Sequence, residues 1–423
     1  ITNTSAGAFA LNAQTRIAYP KGNAALQKDA ELLAQYLFTA TKIRPALTTA
    51  AQGRNLIVLS ATLKNNNKEA YRLEVTKDRI TINGASAAGT FYGIQTLRKA
   101  IPQTGAQKLS FPSVTIVDQP RFGYRGAMLD VARHFFSFED VKTFIDILAL
   151  HNINRFHMHL TDDQGWRIEI KKYPRLTEVS SMRPETMVGH DASKFDGKPH
   201  GGFYTQEQAR AIVKYAADRH IMVIPEIDMP GHMLAALAAY PELGCTGGPY
   251  EVGHRWGVYK DVLCLGKEST YKFVQDVIDE VVEIFPAKYF HIGGDESPTV
   301  MWEKCPKCLQ KAKDENTDIK HLQQYFTNRV EKYLNGKGKS IIGWDEILEG
   351  KINQSATIMS WRGVEPGLKA AKQGHDVIMT PSSHVYFDHY QTKDTKHEPD
   401  AIGGCSPVEK VYSYEPLPDT LSA

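Results

Sequence analysis

Two carboxylates stand side by side in HIGGDESPT, residues 291–299, directly after a pair of glycines. The preceding run, EIFPAKYFHI, is apolar and of strand type, so Asp295 and Glu296 follow the end of a strand. Neighbouring side chains of a regular strand point to opposite faces. Gly293 and Gly294 permit the unusual backbone angles that would turn both acids to the same side. The segment therefore indicates two acids at close range at a strand end.

Such a pair favours one protonated and one ionised carboxyl group, because two anions at close range repel. A protonated acid beside an ionised one is what cleavage of a glycosidic bond requires. The ordinary two-carboxylate mechanisms, however, need acids on opposite sides of the scissile bond, about 5 Å or more apart. Sequence neighbours at one strand end do not readily straddle a sugar ring. If Glu296 is the acid, Asp295 is poorly placed as the nucleophile, and another group must supply it.

Strand-like segments alternate with helical patterns from residue 125 onwards, and these elements must position the acids. The segments are GAMLD (126–130), INRFHMHL (153–160), IMVIPEID (221–228), YFHI (289–292), KSIIGW (339–344), ATIMSW (356–361) and DVIMT (376–380). The helical patterns include two capping boxes, Ser137 with Asp140 and Thr205 with Gln208. Seven such units predict an α/β fold, a (β/α)8 TIM-type barrel. The alternative, a doubly wound sheet, normally has a Gly-rich phosphate loop after its first strand, and GYRGAML is not one.

The first 120 residues differ from this pattern. NLIVLSA predicts a buried strand, residues 71–84 a β-hairpin, and the stretch that follows a helix. We predict a structural α+β domain over 1–120 and a catalytic barrel domain over 121–423. After residue 380 the chain is rich in Pro and Gly, with no further βα unit, so we expect the barrel to be C-terminally incomplete in this chain.

The ends of the seven predicted strands carry acids, one arginine, one histidine and aromatic residues. Active sites of this fold lie at the C-terminal ends of the strands. Carboxylates and an arginine bind sugar hydroxyls, and aromatic rings stack on sugar faces. Any one of these residues could simply cap a helix or fill the rim of the barrel. The recurrence of these residue types at seven strand ends favours a sugar-binding site.

Composition excludes several other functions. The chain has 423 residues, and its net charge of +2 gives no indication of nucleic acid or an anionic membrane surface as partner. No apolar run is long enough to span a membrane. The first residue is Ile1 without a preceding Met, so we expect that a targeting segment has been removed.

The run HIGGDE resembles the signature of the family 20 β-N-acetylhexosaminidases. Further segments resemble this family in its order and spacing: LDVARHF, HLTDDQGWRIEI, PEIDMPGH, IIGWDEI and SHVYFD. The resemblance covers roughly residues 55–420. It implies an exo-acting glycosidase that removes terminal β-linked N-acetylglucosamine or N-acetylgalactosamine. In this family the 2-acetamido carbonyl of the substrate is the nucleophile, which resolves the difficulty raised by the adjacent acids.

The resemblance also implies a role for each matching residue. Glu296 would be the general acid and base, and Asp295 would orient the acetamido group. Asp162 and His232 would set the protonation of Glu296. The implied substrate-binding residues are Arg133, Trp344, Trp361, Tyr386 and Asp388. The family's last strand brings a Trp and a Glu, and no such pair follows Asp388.

Five cysteines are too few for a disulfide scaffold. The resemblance implies a disulfide between Cys245 and Cys264, and hence a periplasmic, cell-surface or secreted protein. Cys305 and Cys308, in CPKC, have zinc-ligand spacing, but for a lone CxxC pair we favour a surface pair or a local disulfide. No metal or other cofactor is expected. The expected partner is an oligosaccharide or glycoconjugate ending in β-N-acetylhexosamine.

Two rival interpretations remain at this stage. The HMH motif, with His157 and His159, resembles the metal cradle of amidohydrolases, but it lies on the second strand rather than the first. Alternating residues that point into the barrel core are the simpler explanation. The second rival is a carbohydrate-binding protein descended from a hexosaminidase, but loss of the acid would mark that class, and Asp295 and Glu296 are both present.

Overall fold

The computed structural model describes residues 2–102, 108–419 and 421. Two compact units are present. The first comprises Ile1–Ala127, Glu139–Phe156 and Ile212–Met222, and the second comprises Met128–Phe138, His157–Ala211 and Val223–Ala423. The first unit includes segments well beyond residue 120, so these units are a different division of the chain from the predicted domains. The predicted domain boundary at residue 120 stays a prediction.

A mixed seven-stranded sheet forms the centre of the first unit. Its strands are β1 (Thr2–Ala10), β2 (Arg16–Ala18), β3 (Ala46–Thr48), β4 (Leu56–Ser60), β5 (Tyr71–Val75), β6 (Arg79–Gly84) and β7 (Ser110–Asp118). They are arranged in the order β1-β7-β5-β6-β4-β2-β3. Two helices, α1 (Ala24–Thr41) and α2 (Ala87–Lys99), belong to the same unit. The predicted hairpin is confirmed, since β5 and β6 pair antiparallel with Tyr71 opposite Gly84.

A second seven-stranded sheet matches the strands predicted from the alternating pattern. Its members are β8 (Gly126–Asp130), β9 (Arg155–His159), β14 (Met222–Glu226), β15 (Tyr289–His291), β16 (Ser340–Trp344), β17 (Thr357–Ser360) and β18 (Val377–Met379). They neighbour one another in chain order, and the pairs from β14 to β18 are parallel. The predicted (β/α)8-type fold is confirmed. In the part of the chain that the structure describes, β8 and β18 form the two edges of this sheet.

Helices follow the strands as the apolar spacing predicts. The longer ones are α3 (Phe138–Leu150), α5 (Gln206–Ala217), α7 (Glu268–Ile284), α8 (Pro306–Asp314), α9 (Leu322–Gly336) and α10 (Glu365–Lys372). The capping box at the start of α5 is confirmed. The Gln208 backbone N–H donates to Thr205 Oγ1 at 3.1 Å, and the Thr205 N–H donates to Gln208 Oε1 at 3.0 Å.

Short elements complete the structure. The short strands are β10 (Thr161–Asp162), β11 (Gly165–Trp166), β12 (Met182–Arg183), β13 (His200–Gly201), β19 (His389–Tyr390) and β20 (Gly403–Cys405). The short α-helices are α4 (Arg175–Glu178), α6 (Leu234–Ala239), α11 (Ser382–Val385) and α12 (Val408–Tyr412). Within the described ranges, four 3-10 helices span Pro241–Leu243, Ile319–His321, Asp345–Glu349 and Thr395–His397. The stretch after residue 380, predicted as loop, thus contains short helices and a strand pair. Of the helices described, none has the length and apolar character needed to cross a bilayer.

Candidate active site

The adjacent acids lie just beyond β15, where the backbone leaves the strand in a left-handed conformation. The φ angles are 69° at Gly293, 93° at Gly294 and 43° at Glu296. A Cβ atom at Gly293 would lie 1.8 Å from Asp228 Oδ1, so no larger residue fits there. The prediction that the glycines permit an unusual turn is confirmed.

His232 lies at the centre of the site, between two pairs of carboxyl groups. Its Nδ1 is 2.9 Å from Asp163 Oδ2 and 3.1 Å from Asp162 Oδ1. Its Nε2 is 3.2 Å from Glu296 Oε2 and 3.5 Å from Asp295 Oδ2. The ring is buried, whereas the Glu296 side chain is 36 % exposed. The structure therefore brings together all four predicted catalytic residues and adds Asp163, whose oxygen is closer to Nδ1 than that of Asp162.

The charges of this group depend on one another. Burial opposes the charged form of His232, but Asp162 and Asp163 hold the pKa of the imidazole well above its usual value. Burial also opposes ionisation of Asp162, but Arg133 and His232 hold the pKa of that carboxyl well below its usual value. Burial raises the pKa of Asp163. The site is thus built around an imidazolium with an ionised aspartate beside it.

Arg133 connects this group to the first strand of the barrel sheet. Its Nε lies 3.1 Å from Asp162 Oδ2, and its Nη1 lies 2.9 Å from Asp130 Oδ2. Burial disfavours the charged form of Arg133, but the negative charges of Asp162 and Asp130 raise its pKa well above the usual value. The side chain is 35 % exposed, so part of the guanidinium remains free to bind a ligand.

Asp228, at the end of the PEID segment, is a buried acid that favours the protonated form, as the sequence predicts for one of the adjacent acids. Burial and the charge of Asp295 raise the pKa of Asp228 well above its usual value. Burial opposes the charge of Asp295, but the His232 imidazole, 3.5 Å away, keeps the pKa of Asp295 below its usual value. The Asp228 carboxyl also accepts the Gly294 N–H at 3.2 Å. The acid near Asp295 whose pKa is raised is therefore Asp228, which follows β14.

Glu226, which is fully buried, binds both histidines of the HMH motif. Its Oε2 lies 2.5 Å from His157 Nε2 and 2.8 Å from His159 Nδ1, and its Oε1 accepts the Trp344 Nε1–H at 3.1 Å. Burial opposes its charge, but the surrounding histidines hold the pKa of Glu226 well below its usual value. Both histidines are buried, as the simpler interpretation of HMH predicts.

The predicted aromatic residues are divided between two places. Trp344 is buried against Glu226. Trp361 and Tyr386 stack on each other, with ring centroids 6.4 Å apart and an interplanar angle of 15°. Burial and the charge of Asp295 raise the pKa of Tyr386, so its hydroxyl stays a hydrogen-bond donor. Asp388 is exposed two residues further along the chain.

Glu346 is a site residue that sequence reasoning missed. Its Oε2 accepts the Trp361 Nε1–H at 3.0 Å. Burial raises the pKa of Glu346 to about 7, and the charge of Asp295 adds to the shift. The sequence signal for Glu346 is its position just beyond β16, two residues after Trp344.

The predicted Cys245–Cys264 disulfide is not formed in the structure, where all five cysteines are free thiols. Cys264 Sγ lies 3.7 Å from Cys305 Sγ and 3.6 Å from Cys308 Sγ. The prediction of a surface pair at Cys305 and Cys308 is also wrong, because both are buried. The pair Cys245 and Cys264 and the pair Cys305 and Cys308 are separate in the sequence, but the fold brings all four side chains to one place.

Comparison with known proteins decides the family. The model of "Glycosyl hydrolase family 20, catalytic domain" matches residues 122–423, and that of "Glycosyl hydrolase family 20, domain 2" matches residues 2–119. The chain belongs to glycosyl hydrolase family 20. A β-hexosaminidase of Porphyromonas gingivalis is 53 % identical over 364 residues, which cover 84 % of this chain and 46 % of the relative. One of Vibrio furnissii is 40 % identical over 351 residues, covering 82 % and 57 %.

Solved structures of the family agree with this assignment. The exo β-N-acetylglucosaminidase of Vibrio harveyi, in complex with N-acetylglucosamine, has a TM-score of 0.86 at 31 % identity. That match covers 100 % of this chain and 66 % of the other. A β-N-acetylhexosaminidase of Streptomyces coelicolor has a TM-score of 0.84 at 32 % identity, covering 98 % and 80 %. The chain spans about half the length of the first two relatives named above.

Replacement of Asp228 tests whether it carries a proton. Asp228→Asn should leave the Tm at pH 7 nearly unchanged, because the amide is also neutral and its oxygen can still accept the Gly294 N–H. Asp228→Ala should cost about 1–3 kcal/mol, since it leaves the buried Gly294 N–H without that acceptor. Thermal unfolding of both variants measures the difference. An Asn variant as unstable as the Ala variant would contradict the assignment.

Glu346 gives a pH dependence of defined sign. Because the pKa of Glu346 is higher in the folded protein, its protonated carboxyl group stabilises the fold. This stabilisation is complete below the unfolded-state pKa of about 4.5 and is lost as the pH rises through about 7. Glu346→Gln cannot ionise, so the Tm of the variant should rise relative to the wild type between pH 5 and pH 8. Paired Tm measurements across that range provide the test. A constant difference between the two proteins would show that Glu346 has an ordinary pKa.

Proposed function

We propose that the protein removes terminal β-linked N-acetylhexosamine residues from oligosaccharides or glycoconjugates, with retention and with the 2-acetamido group of the substrate as nucleophile. The observation that carries the proposal is the position of Glu296 and Asp295 on the same nitrogen of His232. Two acids held on one side of a bound sugar cannot provide both an acid and an opposed nucleophile. A nucleophile that belongs to the substrate removes this conflict.

Glu296 is the general acid and then the base. Its side chain is the more exposed of the two acids, at 36 % against 16 % for Asp295, so it can reach the oxygen of the leaving group. Protonation of that oxygen makes it a better leaving group, and the resulting carboxylate can then deprotonate the attacking water.

His232 shares one proton with Glu296. The raised pKa of the imidazole holds this proton on Nε2 at neutral pH, 3.2 Å from the Glu296 carboxyl oxygen. As the glycosidic bond breaks, the proton passes from Nε2 through Glu296 to the leaving oxygen, and His232 is left neutral. Asp162 and Asp163, on the opposite nitrogen, stabilise the imidazolium before this transfer.

Asp295 orients the acetamido group. The His232 ring lies 3.5 Å from the Asp295 carboxylate, and the lowered pKa of Asp295 keeps it ionised. An anion at the acetamido N–H aligns the carbonyl oxygen with the anomeric carbon. It also stabilises the positive charge that develops as the oxazolinium ion forms.

The remaining predicted residues bind the sugar. The partly exposed guanidinium of Arg133 can donate to ring hydroxyls, and the Tyr386 hydroxyl can donate to the acetamido oxygen. Trp344, Trp361 and Asp388 complete the binding residues in this proposal. The mechanism uses no cofactor. A periplasmic, cell-surface or secreted location would bring the protein to such glycans.

Turnover of an aryl N-acetyl-β-glucosaminide, with and without a thiazoline mimic of the oxazolinium ion, tests the mechanism. Competitive inhibition by the thiazoline, with no turnover of the aryl β-glucoside that lacks the acetamido group, is the expected result. Turnover insensitive to the thiazoline would exclude the substrate nucleophile. Sugar binding without any turnover would instead identify a carbohydrate-binding protein.

Glu296→Gln tests the acid directly. With a poor leaving group kcat should fall by about 10²–10⁴-fold, because no proton reaches the departing oxygen. An activated aryl leaving group should be affected less in the first step. The matched control is Glu303→Gln, an exposed glutamate of the following segment, which should retain wild-type rates. Unimpaired cleavage of the poor substrate by the Glu296 variant would remove Glu296 from this role.

A further inference from the structure

Four of the five cysteines meet in the segments that follow β14 and β15, away from the residues assigned to the reaction. Cys245 follows the 3-10 helix Pro241–Leu243. Cys264 lies on a neighbouring segment, whose Cys264 N–H donates to Leu243 O at 2.8 Å. Cys305 caps the N-terminus of α8, and Cys308 lies in its first turn. Three separate parts of the chain thus contribute to one group of thiols.

The spacing of the sulfur atoms is that of a metal site. The distances are 3.6 Å from Cys264 to Cys308, 3.7 Å from Cys264 to Cys305 and 3.8 Å from Cys245 to Cys308. All four sulfurs lie within 4.8 Å of one another. A disulfide requires about 2.05 Å. Four sulfurs at about 2.3 Å from a tetrahedral zinc ion are about 3.8 Å apart.

The backbone around the sulfurs is arranged for thiolates. Cys305 and Cys308 lie at the positive end of α8, which favours negatively charged sulfur. A Cβ at Gly266 would lie 2.2 Å from the carbonyl carbon of Lys307, so the absence of a side chain lets the two cysteine segments approach.

Four buried thiols without a bound metal ion would contribute little to the stability of the fold. Cys264, Cys305 and Cys308 are buried, and Cys245 is half-buried. A thiol is a weak hydrogen-bond donor, so contacts among four of them contribute little to stability. A bound metal ion would use all four sulfurs at once and join the three chain segments.

We propose that Cys245, Cys264, Cys305 and Cys308 bind one Zn²⁺ ion as a closed structural site. On binding, each thiol transfers its proton to water, and four thiolates with the divalent ion form a centre of charge −2. Four protein ligands leave no position for water or substrate, so this ion has no part in the chemistry. The proposal departs from the sequence-based expectation of no metal, and it is independent of the proposed glycosidase function.

The site would brace the loops that carry the acid and its histidine. The Leu263 N–H donates to Pro230 O at 3.0 Å, two residues before His232. The Trp302 Nε1–H donates to Leu263 O at 2.9 Å, six residues after Glu296. Because the ion would hold both ends of this connection, its removal should lower the Tm.

Metal content tests the proposal. The protein, produced in a reducing cytoplasm, purified anaerobically and dialysed, should contain one Zn²⁺ per chain by mass spectrometry of the elements. Cys305→Ser and Cys308→Ser should lose the metal and show a lower Tm. The matched control, Cys405→Ser, changes a half-buried cysteine outside the group and should keep the metal.

Cobalt substitution of the wild-type protein provides a test that does not depend on the folding of variants. Replacement of the metal by Co²⁺ should give the sulfur-to-cobalt charge-transfer band and the intense visible bands of a tetrahedral thiolate site. A folded, reduced protein that binds neither Zn²⁺ nor Co²⁺ would overturn the proposal. Disulfide-linked peptides among these four cysteines in the anaerobic preparation would also overturn it.

Discussion

One buried imidazole ring, that of His232, holds the candidate active site together. Its two nitrogens face carboxyl groups from separate parts of the chain, Asp162 and Asp163 on one side and Asp295 and Glu296 on the other. A charged ring without such partners would be costly to bury, and so would the acids without the ring. Each group is therefore stable in its place only while the others are present.

The backbone departs from regular geometry where His232 meets the acids. His232 and Glu296 both have left-handed φ angles, at 51° and 43°, which non-glycine residues seldom adopt. A Cβ at Gly231 would lie 3.1 Å from the Asp295 carbonyl oxygen, so the two loops pass each other closely. Strain of this kind persists where the surrounding contacts over-determine the conformation, as the carboxyl groups around His232 do.

Much of this could be predicted from the sequence, because it depends on local patterns. Strand and helix positions followed from apolar spacing and from capping residues such as Thr205 and Gln208. The acid pair was visible as Asp295 and Glu296 after two glycines. What the sequence could not show was pairing between distant segments. Nothing local distinguishes Asp228 as the buried acid near Asp295 whose pKa is raised.

The same limit explains the cysteines and the histidine's nearer partner. Cys245 and Cys264 suggested one bond and CPKC another, because proximity in sequence was the only guide to proximity in space. The fold instead gathers all four thiols. Similarly, Asp162 and Asp163 are adjacent, and only the orientation of the chain after β9 decides which oxygen lies closer to Nδ1.

In this site His232 should carry the proton that it shares with Glu296. Nitrogen-15 NMR of the histidine-labelled protein at pH 7, with the signals of this ring assigned by a His232→Gln variant, measures it most directly. The expected chemical shifts are those of an imidazolium, with both nitrogens protonated. Shifts of a neutral ring, with one nitrogen unprotonated at that pH, would contradict it.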